Sequence, residues 1–202
     1  MIALIGALLT SSFSLITGFV VARKRIVGER ILDFLAVLPA AIPGVFIGIG
    51  YLLSFNTPPL ILTGTPWIII IALAFWNLPF SYQLAISRTA QIDPTLENAA
   101  ANLGASSLRI FWDIYFPLLW RVFTSSFVVS FINCMSNLSI VVFLITPRYS
   151  MATFSILTLI SDNRLGAAAA LTTALLLTSF LVLGIASRFL EKGEFTFYGK
   201  GG

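Results

Sequence analysis

The sequence predicts an all-α integral membrane protein with five transmembrane helices. Hydrophobic residues make up 58% of its 202 residues and charged residues only 10%, whereas a soluble domain is usually about 45 to 50% apolar. Five uncharged runs are each long enough to cross a hydrocarbon core roughly 30 Å thick at about 1.5 Å per helical residue. No internal repeat or soluble domain is visible, so we expect residues 1–202 to form a single transmembrane domain.

The residue types exclude several kinds of site. The chain has no histidine, which rules out imidazole acid–base catalysis and histidine-ligated metals. Its single cysteine, Cys134, lies in an apolar run, which rules out a disulfide framework and a cysteine metal site. The net charge of +4 does not indicate nucleic acid, because basic residues beside membrane spans set topology. We therefore expect a lipid bilayer as the environment and no nucleic-acid partner.

The first predicted span, residues 2–22, is directly followed by Arg23, Lys24 and Arg25. A cleaved signal peptide is the alternative, but the basic residues of a signal peptide precede its apolar run. The order found here favours a transmembrane helix.

The second predicted span, residues 34–55, contains Pro39 and Pro43, each of which removes a backbone donor and kinks a helix. The same span carries small residues at four-residue spacing, namely Ala40, Gly44 and Gly48. Such a stripe lets another helix approach closely. Close packing and a hinge at the two prolines are both compatible with this pattern.

The remaining predicted spans are residues 67–86, 122–145 and 166–186. The third span begins with Trp67, as expected for an aromatic residue at the membrane–water interface. Between the fourth and fifth spans, the apolar patch 154–160 is too short to cross a membrane. An interfacial or re-entrant helix is therefore expected there.

The orientation follows from the positions of the basic residues. With five spans, the segments 23–33, 87–121 and 188–202 share one side of the membrane and hold ten of the twelve Lys and Arg residues. The positive-inside rule makes that side cytoplasmic. The N-terminus is then expected outside and the C-terminus in the cytoplasm.

The cytoplasmic loop 87–121 contains the signals for a short helix. Asp93 followed by Pro94 predicts a helix start, because a capping carboxylate precedes proline at the first helical position. Gly104 stands where a left-handed residue ends a helix. The sequence thus predicts a helix over residues 94–103, either docked in a groove of another protein or resting on lipid headgroups.

A second short helix is predicted after Gly104. Ser106 or Ser107 is placed to cap a helix over residues 108–115. Pro117 is expected to break that helix as the chain re-enters the membrane.

Residues 98–117 read N-A-A-A-N-L-G-A-S-S-L-R-I-F-W-D-I-Y-F-P. This stretch resembles the cytoplasmic signature E-A-A-x-x-x-G-x9-I-x-L-P of type I, methionine-importer-like ABC importer permeases. The signature positions that the chain retains are Ala99, Ala100, Gly104, Ile114 and Pro117.

Two signature positions differ. Asn98 replaces the glutamate, with a carboxylate one place earlier at Glu97, and Phe116 replaces the leucine. Glu97 points about 100° away from Asn98 around a helix, so it does not occupy the position of the signature glutamate. The salt bridge that the family makes at that position is therefore made by Glu97 or is absent. The resemblance therefore assigns the role of a coupling helix, between the third and fourth spans, to the helix as a whole, with Leu103 at its end. Shape around its small residues is expected to matter more than charge.

The resemblance implies several partners. In this family two permease domains pair in the membrane, each docks its coupling helix on an ATPase subunit, and a periplasmic binding protein delivers the substrate. The chain has no phosphate-binding loop of the form G-x-x-x-x-G-K-[ST]. ATP and Mg²⁺ are therefore expected on the partner ATPase, with no cofactor and no enzymatic activity in this chain. The chain would be one half of a permease in the bacterial inner membrane, pairing with a second copy or with a different half.

Two other functions are weighed against an importer subunit. A fragment of an ion-coupled secondary transporter usually needs an ionisable group in the membrane, and the five predicted spans contain no Asp, Glu, Lys or Arg. A non-transporting scaffold subunit would give the polar residues of the fourth span no role except packing.

The translocation path is predicted from a polar face of the fourth span. Its residues recur at helical spacing, namely Ser126, Ser130, Asn133 and Asn137, and Asn77 and Ser81 of the third span are added to them. Because amides facing lipid are costly, this face must point toward protein or water. Interhelical hydrogen bonding at an interface is the equal alternative.

The substrate is predicted only by likeness. The L-G-A-S-S of residues 103–107 and the R-L-G-A-A-A-A-L of residues 164–171 are similar to the permeases for ferric iron, thiamine and aminophosphonates. Ferric iron is the expected substrate.

Overall fold

The computed structural model of the chain describes residues 1–23 and 28–191. Lys24, Arg25, Lys192 and Lys200, which contribute to the predicted orientation, lie outside the described residues. The helices in chain order are α1 (Ile2–Arg23), α2 (Glu29–Val37), α3 (Gly44–Ser54), α4 (Pro66–Ala90), α5 (Pro94–Asn102), α6 (Ser107–Ile110), α7 (Phe116–Ser136), α8 (Ala152–Ser161) and α9 (Leu165–Glu191). The described residues contain no β-strand, and the all-α prediction is confirmed.

Among the described residues, four helices are apolar and long enough to cross a membrane, and a bent pair of helices makes a fifth if it counts as one span. Four are helical throughout, namely Ile2–Arg23, Pro66–Ala90, Ser107–Ser136 and Leu165–Arg188. The fifth is a bent pair of helices, Glu29–Ala41 and Gly44–Ser54, whose axes differ by 114°. The described chain thus has four to five membrane-spanning elements, as the composition predicts.

The second predicted span, residues 34–55, is sharply broken. Pro39 lies in a 3₁₀ turn over Leu38–Ala41, and Pro43 immediately precedes α3. Because proline cannot donate to a helical hydrogen bond, the chain changes direction between the two prolines. The predicted kink is present and is large enough to make this segment a broken span or a re-entrant loop.

The helix of the fourth predicted span ends at Ser136 instead of continuing to residue 145. Asn137 has an extended backbone, and its Oδ1 accepts a hydrogen bond of 3.1 Å from the Ile140 N–H. A 3₁₀ turn, Val141–Phe143, follows, and both its first residue and the preceding Ile140 are fully buried. The apolar character of this stretch therefore reflects burial in protein.

Gly48 allows that buried stretch to pack on α3. A Cβ on Gly48 would lie 2.6 Å from the Ile140 carbonyl oxygen, and one on Gly44 would lie 3.1 Å from the Ser139 Cβ. The small residues of the second span do permit a close approach, but the partner is the non-helical segment after α7 rather than another helix.

Pro117 does not break the helix that contains it. Residues Ser107–Ser136 form one continuous helix in which Phe111–Tyr115 is a π-helical turn. The Phe116 N–H donates to the Phe111 carbonyl, five residues back. Proline is tolerated here because it falls in the first turn of α7, next to a turn whose pairing is already shifted.

The core of the molecule is formed by α1, α4 and α7. The Cβ that Gly18 of α1 lacks would lie 2.7 Å from the Ala85 Cβ of α4, so these two helices are in close contact. At the end near α5, Phe19 packs against Tyr115, with ring centroids 4.6 Å apart. The short helix predicted around residues 154–160 is present as α8, and most side chains of α9 are exposed.

Candidate functional site

The helix predicted over residues 94–103 is present as α5, and its start is capped as expected. Asp93 accepts a 2.9 Å hydrogen bond from the Thr95 N–H, and Pro94 occupies the first helical position. This hydrogen bond lowers the pKa of the Asp93 carboxyl from its ordinary value. The cap satisfies one of the amides that a helix start leaves unpaired.

The end of α5 is determined by Gly104, which has a φ of +84°. The Ala105 N–H donates to the Ala100 carbonyl at 3.0 Å and the Gly104 N–H to the Ala101 carbonyl at 2.9 Å. This pair of bonds is the Schellman arrangement that closes a helix with a left-handed residue. A Cβ at Gly104 would meet no described atom within 4 Å, so glycine is required by backbone conformation and not by space.

An exposed apolar face runs along α5. Leu96, Ala99 and Leu103 are spaced three and four residues apart, which places them on one side of the helix. Leu96 is 46% exposed and Leu103 is 89% exposed. Asn98 is exposed as well, so the position that carries glutamate in the signature faces outward.

The side of α5 next to this exposed face is turned toward the membrane helices. Ala100 packs against the cluster that includes Ile110, Phe111 and Tyr115. Glu97 accepts a 2.8 Å hydrogen bond from the Tyr115 hydroxyl. Glu97 therefore points toward the chain's own helices, about 100° around α5 from Leu96.

The remaining signature residues lie beyond α5. Ile114 is half-buried against the same cluster, whereas Pro117 is exposed. Ser106 caps α6 by accepting from the Arg109 N–H at 3.4 Å. Arg109 in turn pairs with Asp113 at 3.1 Å on the exposed surface.

Arg23 joins three elements near α5. It is the last residue of α1, and it donates to the carbonyl oxygens of Thr89, at 2.9 Å, and Ile92. Its guanidinium carbon stands 5.4 Å from the centre of the Tyr115 ring. In the sequence, Arg23 was recognisable only as a basic residue beside a membrane span, and Tyr115 had no predicted role. No local pattern links Arg23 to Tyr115, because the two residues are far apart in the chain.

The polar face predicted for the translocation path is largely internal. The Ser81 and Ser130 hydroxyls lie 3.2 Å apart, and both side chains are fully buried between α4 and α7. The Asn77 amide donates to the Leu73 carbonyl at 2.8 Å and to the Cys134 sulfur at 3.4 Å. Within the described subunit these three residues join helices to one another.

The other residues of that face are placed differently. Ser126 is 2% exposed, and its hydroxyl has no hydrogen-bond partner among the described residues. Asn137 caps the turn that follows α7, and Asn133 is exposed. The structure therefore groups Asn77, Ser81 and Ser130 but does not bring all six predicted residues onto one open surface.

Comparison with known proteins bears on the identity of this helical unit. A family described as the binding-protein-dependent transport system inner membrane component matches residues 14–193. The chain belongs to this family. As an inner membrane component with several apolar helices, it is a multi-pass protein of the inner membrane, and the matched residues include α5 and the helices on both sides of it.

Individual relatives are similar over much of the chain. The ferric transport system permease protein FbpB of Actinobacillus pleuropneumoniae is 37% identical over 179 residues, covering 89% of this chain and 26% of the relative. A putative 2-aminoethylphosphonate transport system permease protein, PhnV of Salmonella paratyphi A, is 28% identical over 81% of this chain and 62% of the relative. A putative ferric transport system permease-like protein, AfuB of Escherichia coli K12, is 34% identical over 49% of this chain and 82% of the relative. The chain spans about a quarter of the length of the FbpB relatives it matches.

Proposed function

We propose that this chain is a permease subunit of an ATP-driven ABC importer and that α5 is its coupling helix. Family membership supports the class of transport system. The observation that carries the assignment of α5 is its exposed apolar face. A leucine that is 89% exposed gains about 1.5 to 3 kcal/mol when fully buried, so Leu103 provides a favourable contact for a partner.

The partners follow from this role. Two ATPase subunits bind ATP and Mg²⁺ and drive transport, a second permease domain completes the path through the membrane, and a periplasmic binding protein delivers the substrate. This chain carries out no catalysis of its own. The side of the membrane that carries α5 is cytoplasmic, with the N-terminus outside and the C-terminus inside, in keeping with the distribution of basic residues.

The test is to place a charge on the exposed face of α5. Leu103→Glu should abolish co-purification of the ATPase subunit while leaving the permease expressed and folded, because the carboxylate would have to be desolvated in the docking groove. The matched control is Leu60→Glu, which changes a leucine that is 54% exposed in the loop at the other end of α4. Normal ATPase binding by Leu103→Glu would contradict the assignment and favour a helix that rests on lipid headgroups.

Ferric iron is the proposed substrate. The support is similarity to FbpB proteins, at 37% and 38% identity, which exceeds the 28% identity to PhnV. Uptake of radiolabelled ferric iron by cells that depend on this permease should be lost when the chain is deleted. Retained iron uptake together with lost uptake of 2-aminoethylphosphonate would assign the chain to the other substrate.

The translocation path is proposed to run along the face of α7 that carries Asn133. The other residues of the predicted path lie deeper in the subunit, beneath that face, namely Asn77, Ser81, Ser126, Ser130 and Asn137. Exposure of Asn133 supports this arrangement. A cysteine at Asn133 should react with a water-soluble thiol reagent at a rate that changes with ATP and binding protein. Ser130→Cys is the buried control, and native Cys134 adds little background because it is fully buried. Labelling of Asn133→Cys that ignores both ligands would contradict the path.

A further inference from the structure

We infer that Arg23 and Tyr115 form the linkage through which movement of α5 reaches α1 and α4. This inference rests on the proposed coupling role of α5 and makes that role more specific. The linkage consists of one hydrogen bond, one contact between a cation and an aromatic ring, and two hydrogen bonds to backbone carbonyls. Neither residue belongs to the exposed face that meets the ATPase, so both are positioning residues.

The first step of the linkage joins α5 to the π-helical turn before α7. The Tyr115 hydroxyl donates to Glu97 Oε2 at 2.8 Å. The Tyr115 side chain is 1% exposed, and its ring packs against Phe19 of α1 and beneath Arg23. Because the ring is buried and contacts two residues of α1, its hydroxyl has little freedom to follow Glu97 unless neighbouring helices move too.

The second step joins Tyr115 to the ends of α1 and α4. Arg23 stands over the Tyr115 ring and also donates to the carbonyls of Thr89 and Ile92. The last carbonyls of a helix have no partner within the helix and carry the negative end of its dipole, so a guanidinium is a favourable partner there. One arginine thus holds the end of α1, the end of α4 and the aromatic ring that contacts α5.

The linkage changes how α5 can move. Residues 91–93 and 103–106 attach α5 at its two ends, and Ala100 packs against the cluster that includes Ile110, Phe111 and Tyr115. Glu97 lies in the middle of α5, and its hydrogen bond to Tyr115 adds a directional restraint against rotation of α5 about these ends. A force on the exposed face is therefore passed to α1, α4 and the start of α7 together.

Glu97 consequently acts inside the permease. Sequence comparison placed it beside the signature position whose carboxylate the family pairs with the ATPase, but its bond to Tyr115 directs it toward the membrane helices. Recognition of the ATPase then depends on Leu96, Ala99 and Leu103.

Tyr115→Phe tests the linkage because it removes the hydroxyl and keeps the ring on Phe19 and Arg23. In the intact transport complex, amide hydrogen exchange over residues 94–105 should be about tenfold faster, the effect expected from losing one hydrogen bond to a charged group. Exchange in Pro66–Ala90 should not change. ATP hydrolysed per ferric ion taken up in proteoliposomes should rise severalfold. The matched control is Tyr149→Phe, which removes a tyrosine hydroxyl from the segment between α7 and α8.

A double-mutant cycle separates this role from direct contact between Glu97 and the ATPase. Tyr115→Phe should have no further effect in a Glu97→Ala background, and Glu97→Gln should restore most of the coupling that Glu97→Ala loses, because its amide oxygen still accepts the bond. Additive effects, or unchanged exchange in Tyr115→Phe, would overturn the linkage, as would faster exchange throughout the protein. The exchange measurement does not depend on transport. If the wild-type complex takes up no substrate with ATP, the proposed function fails while the linkage is still judged by exchange.

Discussion

Replacing Gly104 with valine should uncouple ATP hydrolysis from transport by changing the direction in which the chain leaves α5. Gly104 has a φ of +84°, and a left-handed conformation costs an L-residue about 1 to 2 kcal/mol. For a β-branched residue such as valine this free-energy cost is at least the upper value, because such residues are genuine outliers at positive φ. A Cβ would meet no described atom within 4 Å, so the whole cost comes from the backbone.

The strain can be relieved by loss of the hydrogen bonds that close α5. A residue returned to negative φ cannot keep both the Ala105 N–H to Ala100 bond and the Gly104 N–H to Ala101 bond that close α5. A cost of one to two kcal/mol corresponds to a factor of about 5 to 30 in population. The last turn of α5, which carries Leu103, would therefore spend much of its time out of the docked orientation.

The assay is ATP hydrolysis and uptake measured together in proteoliposomes that contain the complete transport complex. Transport per ATP should decrease from wild type through Gly104→Ala to Gly104→Val, and Gly104→Asn should remain near wild type because asparagine tolerates the left-handed region. Gly50→Ala is the control, since a Cβ there also meets no described atom within 4 Å and the glycine is helical. A fully expressed Gly104→Val variant with normal ATP-driven uptake would refute the reasoning.

Three further outcomes are expected. Gly48→Ala should lower the free energy of unfolding of the detergent-solubilised protein by about 1 to 3 kcal/mol, because its Cβ would lie 2.6 Å from the Ile140 carbonyl oxygen. An unchanged melting temperature would contradict this packing. Ser81→Ala and Ser130→Ala should each cost about 0.6 kcal/mol, with no further loss in the double variant, since one hydrogen bond serves both; additive losses would show separate roles. Asp93→Ala should speed amide exchange at the start of α5 and Asp93→Asn should not, because only alanine removes the acceptor for the Thr95 N–H; equal rates in the two variants would rule out the cap. Since the pKa of Asp93 is lowered in the folded state, its contribution is full above the ordinary value of about 3.9 and is lost as the pH falls through the lowered one.

The features of α5 that sequence reasoning predicted depend on neighbouring residues. Asp93 before Pro94 and the left-handed Gly104 act within one helical turn of the helix end that they define. Their effect can therefore be predicted from the amino-acid sequence alone. The expected break at Pro117 was wrong because the shifted pairing of the π-helical turn before it accommodates a residue without an N–H. A residue type indicates a conformational preference, and the hydrogen bonding of the adjoining backbone determines whether that preference ends a helix.

Apolar runs were a weaker guide to what lies in the membrane. The stretch after Ser136 has the composition of a span, but Ile140 and Val141 are buried against α3 within the protein. Hydrophobicity measures the preference for leaving water, and it does not distinguish lipid from a protein interior. Of the predicted fourth span, residues 122–136 are helical and the residues that follow are outside α7.

By itself the sequence determined that this is a helical membrane protein, where most of its apolar segments lie and where the helix between the third and fourth spans begins and ends. These properties follow from composition, run length and caps, which involve residues close together in the chain. Only the tertiary structure decided that Ser81 meets Ser130, that Glu97 faces Tyr115, and that Arg23 reaches the end of α4. Those pairs are 49, 18 and 66 residues apart in the sequence, and each contact exists only once the segments that carry its two residues have packed together.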